Sequence, residues 1–215
     1  MSETRATTDT SDMLAVHQVF RSSFDAAPEL FGSVDGDAGR RELVTDYYAN
    51  VLAFLEVHHQ AEDALVFPLV AERAPEQAPL IERMRRQHDQ VVALLETAHD
   101  RLTSWSDGGD GSEVVAALGS LGDDLGPHLD DEEEHLLPVA GRHLSAEEWG
   151  ALPGHGMAHF TGDKVWLILG LIREGMTDTQ RREMLASMPP PAVEMWQSMG
   201  EAAFTEMIAE VRRTS

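Results

Sequence analysis

The sequence predicts an all-α protein, an antiparallel up-and-down four-helix bundle with additional C-terminal helices. Hydrophobic residues make up 42% of the 215 residues but aromatic residues only 6%. Over four long segments the apolar residues recur at steps of three and four, the period of a helix with one buried face. No segment alternates between apolar and polar residues as a strand does. Because the linkers are short or moderate, we expect neighbouring helices to be antiparallel.

The four bundle helices can be placed in order from their breakers. The first is predicted to begin at Ser11 and Asp12, which can cap a helix, and to end at Pro28 and the glycine-rich stretch 32–39. The second covers about residues 40–73. Prolines at 75 and 79 bracket the turn into the third helix. A loop rich in Gly and Asp at 106–112 precedes the fourth helix, at about residues 113–140, which Pro127 is expected to bend.

The chain is expected to have three parts: a disordered tail at 1–11, the bundle at 12–140 and a helical extension at 141–215 packed on the bundle. In the extension we predict a loop at Pro153–Gly154, an apolar helix from about Met157 to Arg173, and a last helix after three consecutive prolines. Its apolar faces would be unfavourable in water, which favours packing on the bundle over a separate domain.

Composition limits the function and the chemistry. The formal net charge of −22 argues against nucleic acid as a partner, because phosphates would be repelled. No run approaches the roughly 18 apolar residues of a membrane span, and the polar N-terminus does not resemble a signal peptide. The chain has no cysteine, which excludes thiolate ligands and disulfides and suits a cytoplasmic location. A metal site here must use nitrogen and oxygen ligands.

One pattern occurs twice, 70 residues apart. His58 is followed by Glu62, and His128 by Glu132; each Glu has a second acid beside it, and a proline follows six residues later. A single histidine precedes each copy, at position 17 in one case and 88 in the other. Residues four apart on a helix share a face, so each His–Glu pair can reach one ion. The repeat indicates two helical hairpins related by duplication.

These positions lie on the apolar stripes of their helices, where unpaired imidazoles and carboxylates would be costly. Metal ions relieve that cost, and four imidazoles with two carboxylates suit iron first, with manganese and zinc as alternatives. Such a set leaves open positions for water, a bridging oxygen or a small oxidant, which argues against a closed structural metal. The predicted metal ligands are His17, His58, Glu62, His88, His128 and Glu132.

The order His, HxxxE, His, HxxxE over residues 12–140 resembles the hemerythrin-like proteins, which have a His-His-Glu cation-binding domain. The resemblance implies a centre of two non-haem iron ions, oxo- or hydroxo-bridged, held by those six residues. It implies a small-molecule ligand: dioxygen, hydrogen peroxide or nitric oxide. An alternative is a protein that senses or stores iron or dioxygen without turnover.

The pattern departs from that of the oxygen carriers, which have HxxxH on the third helix and HxxxxD on the fourth. Four residues after His88 stands Val92, and the fourth helix has Glu132 four residues after His128. One histidine ligand is therefore missing. Simple reversible oxygen carriage becomes doubtful, and the pattern is closer to variants linked to peroxide, nitric oxide or iron chemistry.

Several neighbouring residues are weaker candidates. Asp63 and Glu133, each next to a predicted Glu ligand, are expected to face solvent or to orient an imidazole. His135 could reach the site, and His155 with His159 has ligand spacing that could supply the missing histidine, although a structural role is favoured for that pair. His59 stands beside a ligand without repeating the pattern, and Tyr47 and Tyr48 lie too far along the helix to ligate. The residues expected to form an apolar sleeve around the metals are Phe20, Phe24, Leu55, Val91, Val92 and Leu125.

Overall fold

The computed structural model describes residues 7–34 and 36–213. Within these residues the regular secondary structure is helical, which confirms the predicted fold class. The bundle consists of four long helices: α1 (Met13–Asp25), α3 (Ala38–Ala61), α5 (Ala78–Ser106) and α6 (Gly111–Asp131). Shorter helices flank them: α2 (Ala27–Gly32), α4 (Phe67–Arg73) and α7 (Leu137–His143).

The four long helices pack in a ring. Helix α1 contacts α3 and α6, and α5 contacts the same two helices from the opposite side. Large side chains from all four helices fill the centre, and Phe20, Leu55, Met84 and Leu125 are almost fully buried there. No helix among the described residues is long and apolar enough to cross a membrane.

The first helix ends earlier than predicted. Helix α1 stops at Asp25, and Pro28, expected to be a breaker, lies in the first turn of the short helix α2. Proline is tolerated there because the first amides of a helix have no partner within it. The predicted glycine-rich loop is correspondingly shorter.

The second and fourth helices are each interrupted by one widened turn that the sequence analysis did not predict. A π-turn covers Glu62–Val66 after α3, and another covers Glu132–Leu136 after α6. The proline of each repeat, Pro68 or Pro138, stands second in the helix that follows. Proline lacks an amide hydrogen and its ring clashes with the carbonyl four residues earlier, so a widened turn accommodates it. Both π-turns begin at a predicted ligand.

The extension contains α8 (Ala146–Trp149), α9 (Leu152–Met157), α10 (Asp163–Glu174), α11 (Asp178–Ser187), α12 (Pro190–Met195), a π-turn (Trp196–Gly200) and α13 (Glu201–Arg212). Two details differ from the prediction: Pro153 and Gly154 lie inside α9, and the helix expected from Met157 begins only at Asp163. Gly162, with a positive φ of 60°, ends the connection between them; this conformation suits a residue without a side chain.

The extension contacts the bundle over a continuous apolar core. Helices α10 and α13 pack against α3, and α10 also packs against α1. The buried guanidinium of Arg40 on α3 donates hydrogen bonds to the carbonyls of Glu210 and Val211 at the end of α13. Free carbonyls at a helix C-terminus favour such a cation.

Part of the expected N-terminal tail also contacts the bundle. The amide of Thr8 donates to the carbonyl of Gly141, and its hydroxyl donates to the carbonyl of Leu144. Residues 7–11 therefore lie against α7, in contrast to the loose tail that we expected from their polar composition. The rest of that predicted tail, residues 1–6, lies outside the described residues.

Candidate metal centre

All six predicted ligands lie in the bundle interior, and each is at most 6% exposed. Each of the four long helices carries at least one of these residues, because the apolar stripes of the four helices converge in the interior. The predicted ligand positions are His17 on α1, His58 on α3, His88 on α5, His128 on α6, and Glu62 and Glu132 at the first residues of the two π-turns.

The ligand atoms form two groups that share one residue. The first group consists of His17, His58, Glu62 and Glu132, and the second consists of His59, Glu62, His88 and His128. Within each group the ligand atoms all lie within 4.8 Å of one another. Glu62 belongs to both groups, so its carboxylate stands between them.

The distances are those of groups that face a common point rather than each other. Glu62 Oε1 lies 3.6 Å from His58 Nε2, and its Oε2 lies 3.5 Å from His88 Nε2. In the first group, His17 Nε2 lies 3.3 Å from Glu132 Oε2. Two ligands on one ion, each about 2.0–2.2 Å from it, stand roughly 3–3.5 Å apart. The three separations are close to that value.

The buried atoms that face this interior have no hydrogen-bond partner among the described residues. They comprise ten atoms: one Nε2 each of His17, His58, His88 and His128, both ring nitrogens of His59, and both oxygens of Glu62 and Glu132. Buried polar groups in proteins are nearly always paired. Nitrogen and carboxylate oxygen are ligands of first-row transition metals. The donor set therefore fits a metal-binding site.

The opposite nitrogens of three of the histidines have polar partners. His17 Nδ1 lies 2.7 Å from Glu133 Oε1, and His88 Nδ1 lies 3.3 Å from Asp63 Oδ2. His128 Nδ1 lies 3.2 Å from the side-chain oxygen of Gln87. An acceptor at Nδ1 fixes the tautomer that leaves Nε2 free as a ligand. Asp63 and Glu133 thus take the orienting role that was one of our two expectations.

The duplication is visible in these contacts. The residue after each repeat glutamate crosses to the lone histidine of the other hairpin: Asp63 reaches His88, and Glu133 reaches His17. Arg21 donates to Glu133 and to Asp130, which holds the Glu133 carboxylate in place.

The ionisable groups of the site have strongly shifted pKa values. Burial and the Glu132 carboxylate raise the pKa of Glu62 to about 8. Burial alone would lower the pKa of His17 and His88, but the adjacent carboxylates raise both to about 9. Burial lowers the pKa of His128 to about 4 and those of His58 and His59 well below the usual range.

The weaker candidates His135, His155 and His159 lie outside both groups. The ring of His135 is exposed and contacts Asp131, while His155 and His159 face each other at 5.9 Å on the extension, outside both ligand groups. Tyr48 donates to the carbonyl of Ser23. The placement of Val92 in the apolar sleeve was wrong: Val92 is 48% exposed, whereas the other sleeve residues are buried.

Sequence reasoning missed His59. It is 4% exposed and belongs to the second ligand group. A usable sign was its spacing of seven residues from Leu52 on the same helix, which is fully buried. Positions seven apart lie on nearly the same helix face. Because α3 is buried against several neighbours, both His58 and His59 can point inward.

Comparison with known proteins agrees with this geometry. The family model "Hemerythrin HHE cation binding domain" matches residues 8–140, which cover all the residues of both ligand groups. No curated protein and no solved structure gives a significant match. On the family match and the buried His/Glu groups, the chain belongs to the hemerythrin HHE cation-binding domain family.

Proposed function

We propose that the chain is a non-haem di-iron protein whose metal pair binds or reacts with a small oxidant: hydrogen peroxide, nitric oxide or dioxygen. One observation carries the proposal, namely the two overlapping groups of unpartnered ligand atoms that share Glu62. Two groups suggest two ions, and a mixture of imidazole and carboxylate without thiolate suits iron. The iron pair, when bound, supplies electron-transfer chemistry to a small ligand.

The protein's own residues would hold, orient and shield the metals. His17, His58 and Glu132 would hold one ion, His88 and His128 the other, and Glu62 would lie between them. Glu133 and Asp63 would accept hydrogen bonds from the Nδ1–H groups of His17 and His88 and keep the free Nε2 atoms directed inward.

An apolar wall would exclude bulk water from this site. The ring of Phe20 lies 5.3 Å from that of His58, and the ring of Phe67 stacks on His88 at 5.1 Å. Leu55, Val91 and Leu125 are buried in the same core. Such a wall limits access to small molecules, which is consistent with a diatomic ligand or peroxide rather than a large substrate.

The test is spectroscopic. Protein loaded anaerobically with Fe(II) is mixed with hydrogen peroxide, nitric oxide or dioxygen in separate experiments, and near-ultraviolet and visible absorption is followed. We expect new absorption with at least one of them in the wild type and none in His58→Ala or Glu132→Ala. Both variants should also lose most of their iron. Iron-loaded wild-type protein without any response would overturn the reactive site, and full iron content in both variants would overturn the ligand set.

The alternative is iron sensing or storage without turnover. The ten unpartnered atoms support this alternative, because they would destabilise the fold in the absence of iron. Iron binding would then change the stability of the whole bundle, which is what a sensor requires. A sensor should show a large change in hydrogen exchange or proteolysis when iron is removed and no catalytic consumption of peroxide. Consumption of many peroxide molecules per chain would show an enzyme and exclude sensing or storage without turnover.

A further inference from the structure

We propose that His59 is a fifth imidazole ligand, which supplies from α3 the position that the third bundle helix leaves without a histidine. The inference rests on the proposed metal-binding function and extends it to a residue outside the repeated pattern. It gives the centre seven ligand residues in place of six.

The first argument is the isolation of the His59 ring. Both ring nitrogens are buried, and neither has a hydrogen-bond partner among the described residues. A neutral imidazole always carries one donor and one acceptor nitrogen, so a structural histidine in a core normally has at least one of them paired. His17, His88 and His128 each have one such partner. His59 therefore lacks the contacts of a core histidine.

The second argument is the position of the ring among the other ligands. It stacks on His88 with ring centroids 4.1 Å apart and an interplanar angle of 17°, and it meets His128 edge-on at 5.1 Å. One of its nitrogens lies within 4.8 Å of ligand atoms of Glu62, His88 and His128. The nitrogens of three rings and one carboxylate are thus gathered in one small region, which is what a shared ion requires.

The third argument is the balance between the two groups. The group around His17 has two imidazoles and two carboxylates, whereas without His59 the group around His88 has two imidazoles and one shared carboxylate. A three-ligand site with so little charge binds first-row metals less tightly than a four-ligand one. With His59, each group contains four residues.

The fourth argument excludes the expected alternative on α5. Val92 stands four residues after His88, but it is 48% exposed, while His88 and Val91 are buried. Helix α5 thus turns position 92 towards solvent. A histidine placed there would not reach the second group, and the candidates on the extension, His155 and His159, lie outside it as well.

The experiment compares iron content in His59→Leu and His59→Ala with a matched control, His135→Ala, which changes the exposed histidine of the second repeat. Each purified protein is loaded anaerobically with Fe(II), desalted and measured by plasma mass spectrometry. We expect the iron content to fall from about two per chain in the wild type to about one in both His59 variants. The control should keep the wild-type content.

A second readout separates a ligand from a structural histidine. His59→Leu removes two buried unpaired nitrogens, so the metal-free variant should melt at a higher temperature than the metal-free wild type. A histidine that only supports the fold would give the opposite shift. Variant Val92→His should leave the iron content unchanged.

The outcomes are distinguishable. Wild-type iron content in both His59 variants would overturn the inference and leave the proposed function intact. Absence of iron from the wild type would overturn the proposed function itself. If His59→Ala does not fold, His59→Leu decides, because its side chain fills the same space. A third variant, His59→Gly with added imidazole, should regain the lost iron, and failure to regain it counts against the inference.

Discussion

Removal of the metal should strongly destabilise the protein. Ten buried polar atoms of the site have no partner without a metal. At about 1–3 kcal/mol for each unpaired buried group, a dry empty site would cost on the order of 10–30 kcal/mol. That is comparable with or larger than the roughly 5–15 kcal/mol by which a whole domain is stable. A dry site of this geometry without a metal would therefore be strongly destabilising.

Protonation and water will relieve part of the cost. Glu62, His17 and His88 can take up protons at neutral pH, because their pKa values in the metal-free protein are raised to about 8, 9 and 9. If protonation and water lower the free-energy cost of metal removal to about 5 kcal/mol, the melting temperature should fall by about 10–20 °C, since each kcal/mol shifts it by about 2–4 °C for a chain of this size. Stabilisation by the ion follows from its binding to the folded state alone.

The assay is calorimetry of iron-loaded protein before and after removal of the metal with a strong chelator. A sample treated with the same chelator already saturated with iron serves as control, and reloading with Fe(II) should restore the original melting temperature. A shift of less than about 2 °C on complete removal of the metal would contradict the predicted destabilisation, because it would mean that the buried polar atoms find hydrogen-bond partners without an ion.

Three further predictions follow from particular contacts. Glu133→Ala, which removes the acceptor from His17 Nδ1, should lower iron affinity about 10–100-fold in competition with a chelator, whereas the exposed neighbour in Glu134→Ala should not. Iron loading at pH 7 should release about two to three protons per chain, because His17, His88 and Glu62 must lose theirs, and the affinity for iron should therefore rise between pH 7 and 9. Calorimetric titrations with iron in buffers of different ionisation enthalpy measure this release. A heat of binding that did not depend on the buffer would contradict the prediction. Gly170→Ala should destabilise the chain by about 1–3 kcal/mol in denaturant unfolding, because the added methyl group overlaps the ring of Phe204, whereas Gly119→Ala, with open space around it, should stabilise it by up to about 1 kcal/mol.

The sequence was sufficient to predict the bundle and to single out six residues that the structure brings together in its interior. The hydrophobic period follows from the local geometry of a single helix. His17 and His88 could be predicted to face the interior because each lies on the apolar stripe of its own helix. All six predicted residues meet in the interior.

Features that depend on how a helix is rotated or interrupted could not be predicted in the same way. Position 92 differs by only about 40° from position 88 on a helix, yet one is exposed and the other buried, since the packing of α5 decides where the boundary falls. His59 is buried because α3 packs on α5, whose His88 stacks on the His59 ring, and because His128 of α6 closes the same side. The π-turns at Glu62 and Glu132 arise from a competition between proline and the helical hydrogen bonds, which a periodic pattern does not express.

The extension shows a similar limit. The pair Pro153–Gly154 predicts a loop by composition, but it lies in the short helix α9, packed against α3. Tertiary contacts outweigh weak local preferences of this size. The apolar character of α10 is visible in the sequence, and this helix packs on α1 and α3.

The central claim, two iron ions held in two groups that share Glu62, is tested most directly by anomalous diffraction at the iron edge from crystals of the iron-loaded protein. The account predicts two anomalous peaks, one among His17, His58, Glu62 and Glu132, and one among His59, Glu62, His88 and His128. A single peak, or peaks away from Glu62, would contradict it.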